Sequence, residues 1–268
     1  MSPKTVPVQP AERPDVDLRP LLGPQVLDQG QRPTCATFAA SACHEAITAR
    51  LDLILAQPSP QTASSDDSAG PDEPDRVRSQ SAPAVVGHYA PEALWWYCHQ
   101  RGWASANGLT VPDVIAALRD SGQPGLALWP YDPGLGAQTE DPPAPAEAAR
   151  PWDRAELVRL RLAQDGVEAA LEDNLAAGRP VLVGLQVTDQ FYAPDADGRV
   201  ELPDAKAVVH GGHAVTVVGA ATLPGYGRHL LIKNSWGPDW GAGGYAFVPL
   251  DYLKRWGIDA AAPATEPV

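Results

Sequence analysis

Ile232-Lys233-Asn234-Ser235-Trp236-Gly237-Pro238-Asp239-Trp240-Gly241 reads as a strand that ends on an asparagine and then turns through aromatics and glycines. β-Branched and aromatic runs at 230–233 and 245–248 predict strands on either side of that turn. Upstream lies His210-Gly211-Gly212-His213-Ala214-Val215-Thr216-Val217-Val218-Gly219, in which a histidine opens a strand expected over 213–221. The two glycines before it let other backbone come close. Residues 181–187 (Val-Leu-Val-Gly-Leu-Gln-Val) predict a further strand.

Towards the N-terminus the period changes. Apolar residues at three- and four-residue spacing predict a buried helix over 37–56, with Cys43 as core. Shorter helices are expected over 89–101, opened by Pro91, over 110–121, capped by Thr110, and over 166–177, closed by Gly178. Helices first and strands later predict an α+β fold with two segregated halves.

The long helix is preceded by Gln29-Gly30-Gln31-Arg32-Pro33-Thr34-Cys35-Ala36. Its turn residues place Cys35 at a helix N-terminus, where the partial positive charge favours a thiolate. Gln29 offers a side-chain amide nearby. A cysteine nucleophile needs a base, and the base needs an orienting partner. His213 and Asn234 are the candidates: an Asn carbonyl accepts the imidazole N–H without adding charge. A thiolate–imidazolium pair then supplies nucleophile and proton donor, with Gln29 and the Cys35 N–H holding an oxyanion.

Composition narrows the partners. The chain has 268 residues and a formal net charge of −13, which argues against nucleic acid and anionic membrane. No stretch approaches the roughly 20 apolar residues of a membrane span, and residues 1–9 hold no apolar signal core. The three cysteines, Cys35, Cys43 and Cys98, show no zinc spacing and fit a reducing compartment, so the expectation is a cytoplasmic protein with no metal and no cofactor. Pro- and Ser-rich composition predicts a disordered insertion at 57–84, and a loop or linker at 134–150.

Cys35, His213 and Asn234, in that order, resemble the triad of the papain-like cysteine peptidases. The likeness runs through Gln-Gly-x4-Cys, Gly-His-Ala-Val and Lys-Asn-Ser-Trp-Gly-x2-Trp-Gly-x2-Gly-Tyr, the last being long and specific. The resemblance implies Gln29 and Cys35 as oxyanion hole and Trp236 as the indole that shields the Asn–His bond. It implies Asn107, Gly108 and Leu109 as a loop pairing with extended substrate, and Gly212 on the opposite wall. Leu94, Trp129 and Tyr131 fall at structural positions. Two neighbours of the nucleophile depart from the pattern: Arg32 stands where the family has a disulfide-forming Cys, and Ala36 where it has Trp.

The implied architecture is two-lobed, a helical lobe and an antiparallel β-barrel-like lobe with the cleft between them. Its segments are a flexible tail (1–14), an N-terminal arm (15–26), the helical lobe (27–131), the β lobe (132–257) and a second tail (258–268). The implied activity is hydrolysis of peptide bonds in a peptide or protein substrate through a thioester. Acyl transfer or deamidation by the same triad is an alternative, and a catalytically retired binding module is the rival from another class. No long N-terminal prodomain is expected, which leaves control to a short tail or a regulatory protein partner.

Overall fold

In the computed structural model, residues 13–55, 87–162, 166–204 and 206–265 are described. The insertion expected at 57–84 and nearly all of the first tail lie outside them. Helix α1 (Cys35–Leu55) organises the rest. Ala36, Ala39, Ala40, Ala42, Cys43 and Ala46 are all buried, as are Thr37, Ser41, His44 and Glu45. A helix buried on every side belongs inside a fold rather than on it. Its small side chains let other backbone approach; Thr216 Oγ1 donates to the Ala39 carbonyl at 3.2 Å.

On one side α1 meets α2 (Pro91–Gln100) and α3 (Val111–Asp120). Asp113 Oδ2 accepts from both the backbone N–H and the hydroxyl of Thr110, at 2.8 and 2.6 Å, which fixes the start of α3. On the other side lies a seven-stranded antiparallel sheet, comprising β1 (Val16–Asp17), β2 (Leu157–Leu160), β3 (Val181–Thr188), β4 (Val209–Leu223), β5 (Gly227–Lys233), β6 (Tyr245–Pro249) and β7 (Gly257–Pro263). The strand order is β2-β7-β3-β4-β5-β6, with β1 added against β4. Gly219 is required where β1 crosses: a Cβ there would lie 2.4 Å from the Val16 carbonyl.

Strand alternation divides the core. On β3, Leu182 packs with α1 and α3, whereas Val181, Val183 and Leu185 enter the cluster on the far side of the sheet. Three helices belong to that far side: α5 (Val167–Ala176), α6 (Asp189–Tyr192) and α7 (Leu250–Trp256). A fourth short helix, α4 (Ala144–Ala148), lies beside α2.

The structure corrects the sequence expectations in three places. The sheet is open rather than barrel-like, with β2 and β6 as its ends among the described residues. Residues 258–263 are not a tail but most of β7, held between β2 and β3. The stretch 134–150 is largely an exposed loop, as expected, but it goes with the helical half rather than the β half. Ala146 and Trp152 are buried against Ala90 and Ala93, next to Trp129. Trp152 donates its indole N–H to the Ala146 carbonyl at 2.7 Å, and the Arg150 guanidinium lies 3.9 Å over its ring. Proline sets the backbone of this segment, but aromatic burial fixes its place.

Trp152→Ala is expected to cost roughly 3–5 kcal/mol in urea unfolding, the range for deleting a buried indole. A loss below about 1 kcal/mol, typical of surface sites, would return the segment to a loosely held loop.

Candidate active site

The site is assembled where the first turn of α1 meets β4. Pro33 and Thr34 lead into the helix, and the Thr34 carbonyl accepts from Thr37 N and Phe38 N at 2.9 and 3.3 Å. Cys35 is therefore the first helical residue, and its own N–H has no partner within the helix. The sulfur packs beside Ala214, the residue after His213. Cys35 is half-buried, whereas Cys43 and Cys98 are fully buried.

His213 Nε2 and Asn234 Oδ1 are 2.7 Å apart. The orientation of the Asn234 amide follows from its neighbour. The Ser235 backbone N–H, which can only donate, lies 2.8 Å from Oδ1, so that atom is the oxygen. An oxygen can only accept here, so Nε2 of His213 carries its proton. In the neutral ring the remaining nitrogen, Nδ1, is then the base.

Gln29 is fixed by the same logic. Its Nε2 donates to the Arg32 carbonyl at 2.7 Å. Its Oε1 accepts from Ser235 Oγ at 2.6 Å, leaving the second N–H of the amide uncommitted. The backbones join as well, since Gln29 N donates to the Ser235 carbonyl at 2.8 Å and Gly237 N to Leu27 at 3.2 Å. The end of β5 thus carries, on adjacent residues, the partner of the histidine and the partner of the glutamine. The sequence marked Asn234 and passed over Ser235, whose only signal is its place inside the long motif.

Trp236 lies over His213 with ring centroids 4.6 Å apart. Phe191 meets it edge-on at 5.7 Å, and Tyr192 stacks on it at 5.4 Å. Both come from α6, which sequence patterning did not reveal. Burial pushes His213 down to about 4, against the opposing pull of the Asn234 hydrogen bond. Burial also pushes the Cys35 thiol up, and the N–H groups of Ala214, Ala36 and Cys35 itself only partly offset it. Burial thus opposes the thiolate that the helix terminus favours. Cys43 and Cys98 are pushed up to about 12 by burial.

The 107–109 loop packs on the nucleophile segment. Gly108 has φ +90°, and a Cβ there would come 3.0 Å from the Pro33 carbonyl. Its N–H and C=O are both taken by Ser105, at 3.0 and 3.1 Å, and Asn107 N donates to Ser105 Oγ at 3.2 Å. The N–H and C=O of Leu109 make no hydrogen bond among the described residues. Gly212 is exposed on β4, opposite Gln186 of β3. No His, Cys, Asp and Glu group suited to a metal occurs among the described residues.

A cysteine opening a helix against a strand that bears a histidine, with an asparagine on that histidine, defines a thiol-hydrolase type of site on an α+β scaffold. The model of the papain family cysteine proteases matches residues 137–264. Xylellain, a cysteine protease from Xylella fastidiosa, superposes with a TM-score of 0.66 at 23% identity, covering 96% of this chain and 87% of that one. A cathepsin B-like protein of Giardia intestinalis is 33% identical over 154 residues, 54% of this chain and 48% of its own length. An uncharacterized peptidase C1-like protein of Acanthamoeba polyphaga mimivirus is 29% identical over 178 residues, 62% of this chain and 55% of its own. The chain spans about half the length of these curated relatives. The described residues share the fold of that solved cysteine protease, and residues 137–264 are similar to the papain family.

Ser235→Ala leaves the buried Gln29 Oε1 without its donor. The expected cost is about 1–3 kcal/mol in denaturant unfolding, the penalty for an orphaned buried acceptor. An unchanged midpoint would show that this hydroxyl does not hold the amide.

Proposed function

We propose that the chain is a peptidase that cleaves peptide bonds through Cys35, His213 and Asn234. The observation that carries this reading is the shared acceptor Asn234 Oδ1, which leaves Nδ1 of His213 as the free base. With both partners neutral at rest, the thiol proton passes to Nδ1 as sulfur attacks the carbonyl carbon. The oxyanion is taken up by the Cys35 N–H and the uncommitted N–H of Gln29. The imidazolium protonates the departing amine, leaving a thioester on Cys35. Water, deprotonated by Nδ1, then attacks the thioester, and the thiol is restored as the acid leaves. An extended substrate pairs with the backbone of Leu109, whose side chain narrows the space beside it. Asn107 and Gly108 shape that loop, and Gly212 offers an open opposite wall. Trp236 keeps water from the Asn234–His213 bond.

Cys35→Ala is expected to abolish turnover of a peptide library while the melting temperature stays close to wild type; full activity in that variant would overturn the assignment. The pH profile has a definite sign. Below about 4, His213 is protonated and cannot accept the thiol proton, so kcat/KM falls on that side. The raised thiol pKa sends the alkaline limb beyond the range of an ordinary cysteine. A plateau that begins only above pH 6 would contradict the buried, neutral imidazole.

A further inference from the structure

Arg32, one of the two residues beside Cys35 that depart from the papain-like pattern, is the most deeply buried cation among the described residues. Its side chain and that of Glu92 are 0% and 2% exposed. Nη1 donates to Glu92 Oε2 at 2.5 Å and to the Asp132 carbonyl at 2.9 Å. Nη2 donates to Glu92 Oε1 at 3.1 Å and to the Gln138 carbonyl at 2.7 Å. Nε donates to the Gly136 carbonyl at 2.8 Å. A guanidinium has five N–H groups, and all five are used. The face of the group lies 4.7 Å from the Tyr131 ring, and Glu92 Oε1 also accepts from Thr139 Oγ1 at 2.7 Å.

Burying an ion pair so thoroughly is a poor way to gain stability, because desolvation offsets most of the attraction. Its value lies in geometry. The backbone carbonyl of Arg32 is the acceptor that turns the Gln29 amide. Tyr131, against the guanidinium, donates its hydroxyl to the Gln29 carbonyl at 2.9 Å and lies 2.7 Å from Thr34 Oγ1. Both ends of the turn from Gln29 to Thr34 are thereby tied to one buried charge pair. We propose that Arg32 and Glu92 are positioning residues that act through Gln29: an ionic clamp that aims the amide N–H at the developing oxyanion. This rests on the peptidase reading above.

The clamp differs from a general structural role in what it leaves untouched. Alkylation of Cys35 by iodoacetamide develops no oxyanion, whereas amide hydrolysis does. Arg32→Lys keeps the charge and loses the fork; Glu92→Gln keeps the shape and loses the charge. Either variant, with kcat expressed per thiol titrated by an epoxysuccinyl inhibitor, is expected to lose about 10- to 100-fold in kcat. KM and the alkylation rate should stay within about threefold of wild type, the pattern for an interaction made only in the transition state. Because the residues act through Gln29, adding Arg32→Lys or Glu92→Gln to Gln29→Ala should cost less than about threefold more. Wild-type kcat per thiol in both variants, or a loss that persists undiminished in the Gln29→Ala background, would overturn the clamp. If one variant fails to fold, the other carries the test. Wild-type protein that alkylates at Cys35 yet turns over no peptide or ester would instead sink the peptidase reading.

Discussion

The oxygen of one buried amide fixes the geometry of the candidate site. Asn234 Oδ1 receives the Ser235 N–H and the His213 Nε2–H, and the first of these leaves the second no choice. A backbone donor cannot change its role, so the side-chain amide cannot flip, and the imidazole is held as one tautomer. The aromatic packing of Phe191 and Trp236 around His213 then keeps the ring in the plane this requires. The orientation of the base is inherited from the geometry of a strand end, not from the flexible atoms of the site itself.

The same strand end needs something to lean on, and α1 supplies it. A helix built from alanine, threonine and serine along its buried faces can sit close to β4 on one side and to α2 and α3 on the other. The N-terminal arm closes the assembly: Leu22 joins Ala42, Ala46, Val218 and Leu231 in one cluster, and Gly23 N donates to the buried Glu45 at 3.0 Å. Glu45 also faces His88 at 3.0 Å and Lys233 at 3.6 Å, so a single carboxylate ties the arm, the segment before α2 and the strand that ends in Asn234. Burial raises the pKa of that carboxyl, but the His88 hydrogen bond and the Lys233 charge more than reverse it.

Much of this was legible in the sequence, for reasons that particular residues make plain. The long elements were visible because burial imposes a period, and α1, α2, α3 and α5 begin and end within two residues of the expected limits. The pairing of His213 with Asn234 was visible because Asn234 belongs to a contiguous motif. What escaped was of another kind. Among its seven residues strand β7 holds three of alanine, a weak strand former, and it exists because β2 and β3 pair with it on both sides. Helix α7 follows a strand without a break at Pro249, so no turn announces it. Arg32 finds its carboxylate sixty positions away in the chain, and the three carbonyls it satisfies are features of backbone shape that no residue type encodes. The helix terminus at Cys35 was legible, while the desolvation that opposes a thiolate there comes from distant residues and was not.

The tie made by Arg32 and Glu92 has a consequence for oxidation. A site built on a nucleophilic thiol needs reducing surroundings, and those conditions open a disulfide whose potential is not low enough. A nearby disulfide would couple the readiness of the nucleophile to the integrity of the loop that carries it, with opposite requirements. A guanidinium and a carboxylate are indifferent to electron supply. In this chain the sulfur of Cys35 can remain reduced without loosening the turn from Gln29 to Thr34, so the two demands are met by separate chemistries.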